Sequence, residues 1–350
     1  MAMSVYSARR KKLLEKAGKG SVAVATPANL FWLTGFWGGG VGAVKDDRTV
    51  VITSLLEAGR AAEQGNEVEV VTVKMMQELV PALSRALGKG KATVDDDSLM
   101  RGDPSFKRDP NIFLGARRVK DEEELRRIAR ASAGLDKIFR ALETEVKPGR
   151  TEWQVASEVM RLATELGMTP TGSDTALSPT IIASGENGAL PHSELTGRRL
   201  KEGDFVVADI FFRSDGYHSD STRTFAVGGA TAEMKRHYEA VREAQEAALG
   251  QALEGEECES VHEEAVKVLK RRGMEKLLNH SVGHGVGIDI HELPRVSRGN
   301  KEKLLRNDVI TDEPGVYLPG KFGVRIEDTL VIGRTPKVLT RYTKELVTCG

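Results

Sequence analysis

Asp209 interrupts an otherwise apolar run, Phe205-Val206-Val207-Ala208-Asp209-Ile210-Phe211-Phe212. An ionised carboxylate taken out of water without a partner is costly, so this residue demands one. The next segment, Tyr217 to Thr224, carries Asp220, and Ser214-Asp215-Gly216 between the two has hairpin composition. Two registers are open. If Ser214 and Asp215 form the turn, position 209 faces 220. If Asp215 and Gly216 form it, 209 faces 222 and 220 is its diagonal neighbour. In both, the aspartates share one face, because side chains alternate with period two. Two carboxylates about 4 Å apart repel by roughly 4 kcal/mol at an effective dielectric of about 20. A cation, a shared proton, or neutralisation by a basic residue such as Arg223 would relieve that repulsion.

The same arrangement recurs downstream. Glu313 and Glu327 flank Pro319-Gly320-Lys321, and a three-residue turn centred on Gly320 sets them opposite each other. Pro314-Gly315 interrupts the first of these strands. Between the two acidic hairpins lie His280-Ser281-Val282-Gly283-His284-Gly285-Val286-Gly287 and His291-Glu292. Glycines there let the backbone approach a ligand or metal closely. A single Gly-flanked histidine reads as a loop or core residue. Three histidines within twelve residues, between two acidic hairpins, read as a metal site. Oxygen-rich ligation with one imidazole suits Mn, Fe, Co or Zn and a two-metal hydrolytic centre. His192, in Pro191-His192, is the fourth histidine of interest.

The elements that must carry these residues follow from periodicity. Residues 7–16 read as an amphipathic helix, and 22–24, 49–52 and 69–73 as strands. Residues 75–87 look helical, with Pro81 marking a kink or a fresh start. This alternation predicts an α/β or mixed layer in roughly the first 115 residues. The composition shifts near Arg117. Asp121-Glu122-Glu123-Glu124 then opens a long helix with an acidic first turn, and Pro148-Gly149 breaks it. Thr151 caps a helix over 152–166. Strands are expected over 204–212 and 217–225, helices over 230–253 and 260–271, and a strand pair over 309–318 and 322–332.

Composition removes other function classes. The 350 residues carry 51 basic and 51 acidic side chains, a formal net charge of zero, which argues against a nucleic-acid partner. No window of about 18 apolar residues occurs, so no membrane span is expected. Met1-Ala2-Met3-Ser4 is followed by no apolar stretch, which makes the cytoplasm the default location. Cys258 and Cys349 are too few for a disulfide scaffold or a Cys-rich zinc module. His262-Glu263-Glu264-Ala265-Val266 fails the H-E-x-x-H pattern at its last position, and neither a P-loop nor a G-x-S-x-G elbow occurs. Gly38-Gly39-Gly40-Val41-Gly42 lacks the following helix that a dinucleotide site needs.

Taken in order, Asp209, Asp220, Gly283-His284-Gly285-Val286-Gly287, His291-Glu292-Leu293-Pro294, Glu313-Pro314-Gly315 and Arg325-Ile326-Glu327-Asp328 resemble the pita-bread metallopeptidase family. Within it the chain resembles the short Xaa-Pro dipeptidases, or prolidases. The stretch from Thr26 to Phe36 is similar to the creatinase-type N-terminal domain. The resemblance implies an α/β creatinase-like domain over 1–118 and an α+β pita-bread catalytic domain over 119–350. It implies two divalent ions, one held by Asp209, Asp220 and Glu327, the other by Asp220, His284, Glu313 and Glu327. A hydroxide bridging them would attack the bond before a C-terminal proline, with Glu313 moving its proton to the proline nitrogen. His291 and His192 would contact the substrate or steady the tetrahedral intermediate. Arg295 would clamp the dipeptide carboxylate, with a surface ion pair as its competing reading. His280 and Arg325 would support the ligands. A small peptide substrate, no nucleic acid or membrane, and a homodimer are further implications. The alternatives are an Xaa-Pro aminopeptidase acting on longer peptides and a non-catalytic binding protein on the same fold. Two features depart from the family pattern: Asp312, which strand alternation turns away from the site, and the segment 171–178, which would shape the substrate pocket.

Overall fold

The computed structural model describes residues 4–18, 20–88, 91–170 and 178–350, so most of the atypical 171–178 segment lies outside the described residues. The chain divides into two compact units, Met1–Arg117 and Arg118–Gly350.

The first unit is built on one mixed sheet. Its strands run in the order Glu69–Val73, Arg48–Ser54, Val41–Lys45, Ser21–Val24, Ala92–Val94, Lys107–Arg108. Val41–Lys45 is antiparallel to both neighbours, while the outer pairs are parallel. The glycine-rich stretch before it therefore leads into a strand. No helix N-terminus stands there to receive a phosphate, and the dinucleotide reading falls. The 75–87 segment divides into a 3₁₀ turn, Met76–Glu78, and an α-helix, Leu79–Leu87. Pro81 sits in the first turn of that helix, where its missing N–H has no intrahelical partner to lose. Pro27–Thr34 is a helix that periodicity did not reveal, because nearly every side chain in it is buried and no face is polar.

The second unit carries the chemistry. Helix α1 (Glu122–Glu145) starts with a reciprocal capping box between Asp121 and Glu124, and α2 (Glu152–Glu165) with one between Thr151 and Gln154. Strand β1 (Ile181–Ser184) pairs with β2 (Phe205–Ser214), which forms a long hairpin with β3 (Tyr217–Val227). Val206, Ala208, Ile210 and Phe212 on one face of β2 join Leu135, Ile138, Phe139 and Leu142 of α1 in a core cluster. The alternate residues, Asp209 among them, point to the other face. Helices α3 (Ala232–Gln251) and α4 (Cys258–Arg271) form a second core with the remaining strands. Those strands are β4 (Gly283–Gly285), β5 (Glu292–Val296), β6 (Val309–Asp312), β7 (Gly315–Leu318), β8 (Phe322–Arg325) and β9 (Asp328–Val331). Strands β5, β4, β6 and β9 lie side by side in one sheet, and β7 and β8 form a separate ladder. No helix among the described residues is long and apolar enough to cross a membrane.

Candidate metal centre

The β2–β3 hairpin adopts the second of the two registers. Asp215 and Gly216 both have positive φ, 50° and 84°, as a tight type I′ turn requires. Asp209 then faces Thr222, and Asp220 faces Phe211. Both aspartates share one face of the hairpin.

The downstream hairpin keeps a single register along its length. Asp312 pairs with Asp328 on one side of a break and Gly315 with Arg325 on the other, which places Glu313 across from Glu327 within the break. Pro314 has no N–H to give the ladder, so the strands part there. The freed backbone groups go elsewhere: Glu313 N–H donates to Val282 O at 2.7 Å, and Glu327 N–H to Thr222 O at 3.0 Å. The second contact docks Glu327 on the residue directly opposite Asp209. A local defect in one hairpin thus delivers its glutamates to the aspartates of the other.

His284 comes from the short central strand β4. A Cβ on Gly283 would lie 2.1 Å from Thr311 O, one on Gly285 2.2 Å from Leu293 O, and one on Gly287 2.5 Å from the Glu292 carboxylate. These glycines admit neighbouring strands and one side chain, where the sequence suggested they admit a ligand. The His284 ring lies with Nδ1 3.1 Å from Gly285 O, which assigns the proton to Nδ1 and leaves the Nε2 lone pair available. Nε2 is 3.5 Å from Glu313 Oε1 and 3.7 Å from Asp220 Oδ2.

Asp220, His284 and Glu327 are all buried, and each offers a ligand atom within 4.8 Å of the others. Asp209 Oδ1, Asp220 Oδ1 and Glu327 Oε1 are buried without a hydrogen-bond partner among the described residues. Their sister oxygens on two of the three are occupied. Arg325 Nη2 donates to Asp209 Oδ2 at 2.5 Å, and Thr222 Oγ1 donates to Glu327 Oε2 at 2.7 Å. Such orphaned acceptors are what a cation would satisfy, so the donor set fits a divalent metal. The clustered acids repel one another. Burial, then Glu327, Asp209 and Glu313, push the Asp220 carboxyl well above the carboxylate range. Burial, opposed by Arg325 and reinforced by Asp209, lifts Glu313 to about 8. Burial and then His291 lower His284 to about 3, which keeps its ring neutral.

An arginine does neutralise one aspartate, but it is Arg325. Arg223 instead pairs with Asp328 at 2.8 Å. Arg325 also donates to Tyr317 OH at 2.7 Å, Thr222 Oγ1 at 3.2 Å and Pro191 O at 3.1 Å. Tyr317 OH in turn meets His280 Nε2 at 2.9 Å. His280 is thus linked to Asp209 through two side chains. Pro191 ties this network to the segment bearing His192.

His192, His291 and Arg295 are exposed. The His291 ring stands edge-on to His284, with centroids 4.3 Å apart. Partial withdrawal of its ring from water lowers the pKa of His291, as do His192 and Arg295 close by. Arg295 is the cross-strand partner of His284. Asp312 turns away from Thr311, which faces His284, and stays buried with neither carboxylate oxygen hydrogen-bonded among the described residues. Cys258 and Cys349 are free and buried.

Sequence reasoning missed Glu152. It is fully buried and accepts hydrogen bonds from Ser184 N and Oγ, Asn187 Nδ2, and Thr196 N and Oγ1, at 2.6–3.2 Å. It therefore gathers both ends of the segment carrying His192. The capping box at Thr151 located its helix, but nothing local announced the role.

Comparison with known proteins agrees with this geometry. The model of metallopeptidase family M24 matches residues 126–334, and that of the creatinase/prolidase N-terminal domain matches residues 8–101. The chain is 33% identical over 357 residues to a Xaa-Pro dipeptidase of Pyrococcus horikoshii, covering 99% of this chain and 100% of that one. It is 33% identical over 345 residues to one from Pyrococcus furiosus, covering 96% and 97%. The crystal structure of the prolidase from P. horikoshii superposes with a TM-score of 0.88 at 32% identity, covering 97% and 100%. The chain therefore belongs to metallopeptidase family M24, a family of hydrolases, with a creatinase/prolidase N-terminal domain preceding a catalytic domain of pita-bread fold.

Proposed function

We propose that the protein is a two-metal Xaa-Pro dipeptidase that hydrolyses the bond before a C-terminal proline. The observation that carries this reading is the set of buried, unpartnered oxygens on Asp209, Asp220 and Glu327 beside the neutral ring of His284. Likeness to Xaa-Pro dipeptidases along nearly the whole chain supplies the substrate class.

Asp209, Asp220 and Glu327 would hold one ion, and Asp220, His284, Glu313 and Glu327 the other. The oxygen-rich set with one imidazole suits Mn, Co, Fe or Zn. Bound there, such ions would supply a water of lowered pKa and polarisation of the scissile carbonyl. Glu313 would accept the water's proton at a carboxylate oxygen and pass it to the proline nitrogen. His291 and His192 present ring N–H groups to the reacting carbonyl and its tetrahedral successor. Arg295 offers a bidentate fork to the free carboxylate of the dipeptide. A homodimer in the cytoplasm completes the reading; two unpaired, buried cysteines suit a reducing compartment.

The test is product release from a Xaa-Pro dipeptide and a matching Xaa-Pro-Xaa tripeptide. Both are run on metal-stripped protein reloaded with Mn, Co, Fe or Zn, with Asp209→Ala as control. Metal-dependent cleavage of the dipeptide alone is the expected result. Cleavage of the tripeptide moves the assignment to an aminopeptidase, and metal binding with neither activity overturns the proposal.

A further inference from the structure

Lys120 Nζ donates to Glu292 Oε2 at 2.8 Å across 172 positions of sequence. Both side chains are almost wholly withdrawn from water, at 1% and 3% exposure. Breaking such a pair strands a charge, so its geometry is firmly held. The lysine stands on fixed ground: Lys120 N–H donates to Asn307 O at 3.0 Å, and Val119 bridges to Asp308, just ahead of β6. The glutamate is fixed as well. Its Oε1 accepts the N–H of Asp289 at 3.1 Å, and its carboxylate lies so close to Gly287 that a Cβ there would sit 2.5 Å away. Gly287 O is held in turn by His218 N–H at 2.8 Å, with His218 Nδ1 3.2 Å away.

These contacts clamp the segment from Gly287 to Glu292, which joins His284 to His291. His291 keeps part of its surface in water, yet its ring holds a 4.3 Å, edge-on placement against His284. Its immediate neighbour is the buried end of the ion pair. We propose that Lys120 and Glu292 are positioning residues that set His291 against His284, and through His291 set the efficiency of peptide hydrolysis. The proposal rests on the reading of His291 as a substrate contact.

The experiment uses full-length protein labelled with ¹³C at histidine Cε1, with each of the seven resonances assigned by single His→Gln variants. Lys120→Met and Glu292→Gln are compared with wild type, metal-free and metal-loaded. The His291 resonance is expected to move or broaden in both states, with His237 and His262 unmoved and metal stoichiometry unchanged. In parallel, kcat/KM is expected to fall about ten-fold or more, as losses of supporting contacts commonly do. In a His291→Ala background the added Lys120→Met is expected to cost less than about two-fold, because coupled residues are not additive. An unmoved His291 resonance, or fully additive losses, overturns the proposal. If Lys120→Met does not fold, Gly287→Ala displaces the same carboxylate from its other side and carries the same readout. If wild type cleaves no Xaa-Pro peptide, the functional reading fails, while the resonance still decides the positioning role.

Discussion

The guanidinium of Arg325 reaches Asp209 directly, at 2.5 Å, and Glu327 indirectly through the hydroxyl of Thr222. Each carboxylate thereby has one oxygen engaged and the other left without a partner. One side chain thus orients acids from two separate hairpins, and Tyr317 and Pro191 hold that side chain on its far side.

Arg325→Lys should therefore loosen metal binding without removing a ligand. A lysine keeps the charge but has no planar fork to serve Asp209, Thr222, Tyr317 and Pro191 together. Metal affinity is expected to fall about 10–100-fold, the usual range for lost outer contacts. Competition titration against a chromophoric chelator measures it. Unchanged affinity would mean that Asp209 is placed by its strand alone.

The pH dependence of the metal-free protein follows from opposing shifts. Glu313 rises from 4.5 to about 8, and Asp220 and Glu327 also lie well above their usual values. Raised acids favour the folded state below about pH 4.5, and that contribution is lost as pH rises through their folded values. His284 falls from 6.5 to about 3, so its contribution is complete above 6.5 and is lost as pH drops. The two effects oppose each other between 4.5 and 6.5. From 6.5 to 8 only the acids remain, and thermal stability should decline. With metal bound the ligands are deprotonated, so the stabilisation due to metal should grow over that interval. Melting curves with and without chelator, taken at half-unit steps, decide it; a flat metal-free profile above pH 6.5 would contradict the assignment.

Much of this centre was legible because strand geometry has a period of two. That rule set Asp209 and Asp220 on one face whichever turn formed, whereas the neutralising role offered to Arg223 fell to Arg325, and Arg223 meets Asp328 instead. The register of Glu313 and Glu327 followed from the turn at Gly320, and Pro314 marked the break. What stayed hidden depended on partners far along the chain. No local pattern shows that Glu327 N–H turns to Thr222, that Glu152 gathers Ser184, Asn187 and Thr196, or that glycines 283, 285 and 287 make room for protein. Those contacts arise only when sheets built from distant segments pack.

Asp312 gives a stability prediction separable from catalysis. It faces Asp328, which receives Arg223 at 2.8 Å, Gln245 at 3.1 Å and Lys344 at 3.6 Å, while its own oxygens receive no hydrogen bond among the described residues. Burial, and then Asp328, push its carboxyl well above the usual range, so ionising it at neutral pH costs stability. Asp312→Asn keeps the shape and removes the charge. The melting temperature is expected to rise by about 1–2 °C, near 1 kcal/mol for a chain of this size, with kcat/KM within about two-fold of wild type. A lower melting temperature would show that the ionised form has a partner.

Arg295 separates the dipeptidase reading from its competitor most sharply. It lies across the strand pair from His284, and its own carbonyl is fixed by Asn300 Nδ2 at 2.6 Å, so its backbone position is set even though its side chain is exposed. A dipeptide ending in proline presents a free carboxylate one residue beyond the scissile bond, and Arg295 is rooted across from His284. If Arg295 grips that carboxylate, Arg295→Met should raise KM by about 10–100-fold and change kcat little, because the contact is the same in ground and transition states. Arg295→Lys should fall between, keeping charge and losing the fork. The corresponding prolinamide substrate should bind wild type poorly and the variants no worse. Equal losses on the free acid and the amide would instead mark Arg295 as a surface charge, and would leave the recognition of the peptide C-terminus to another group.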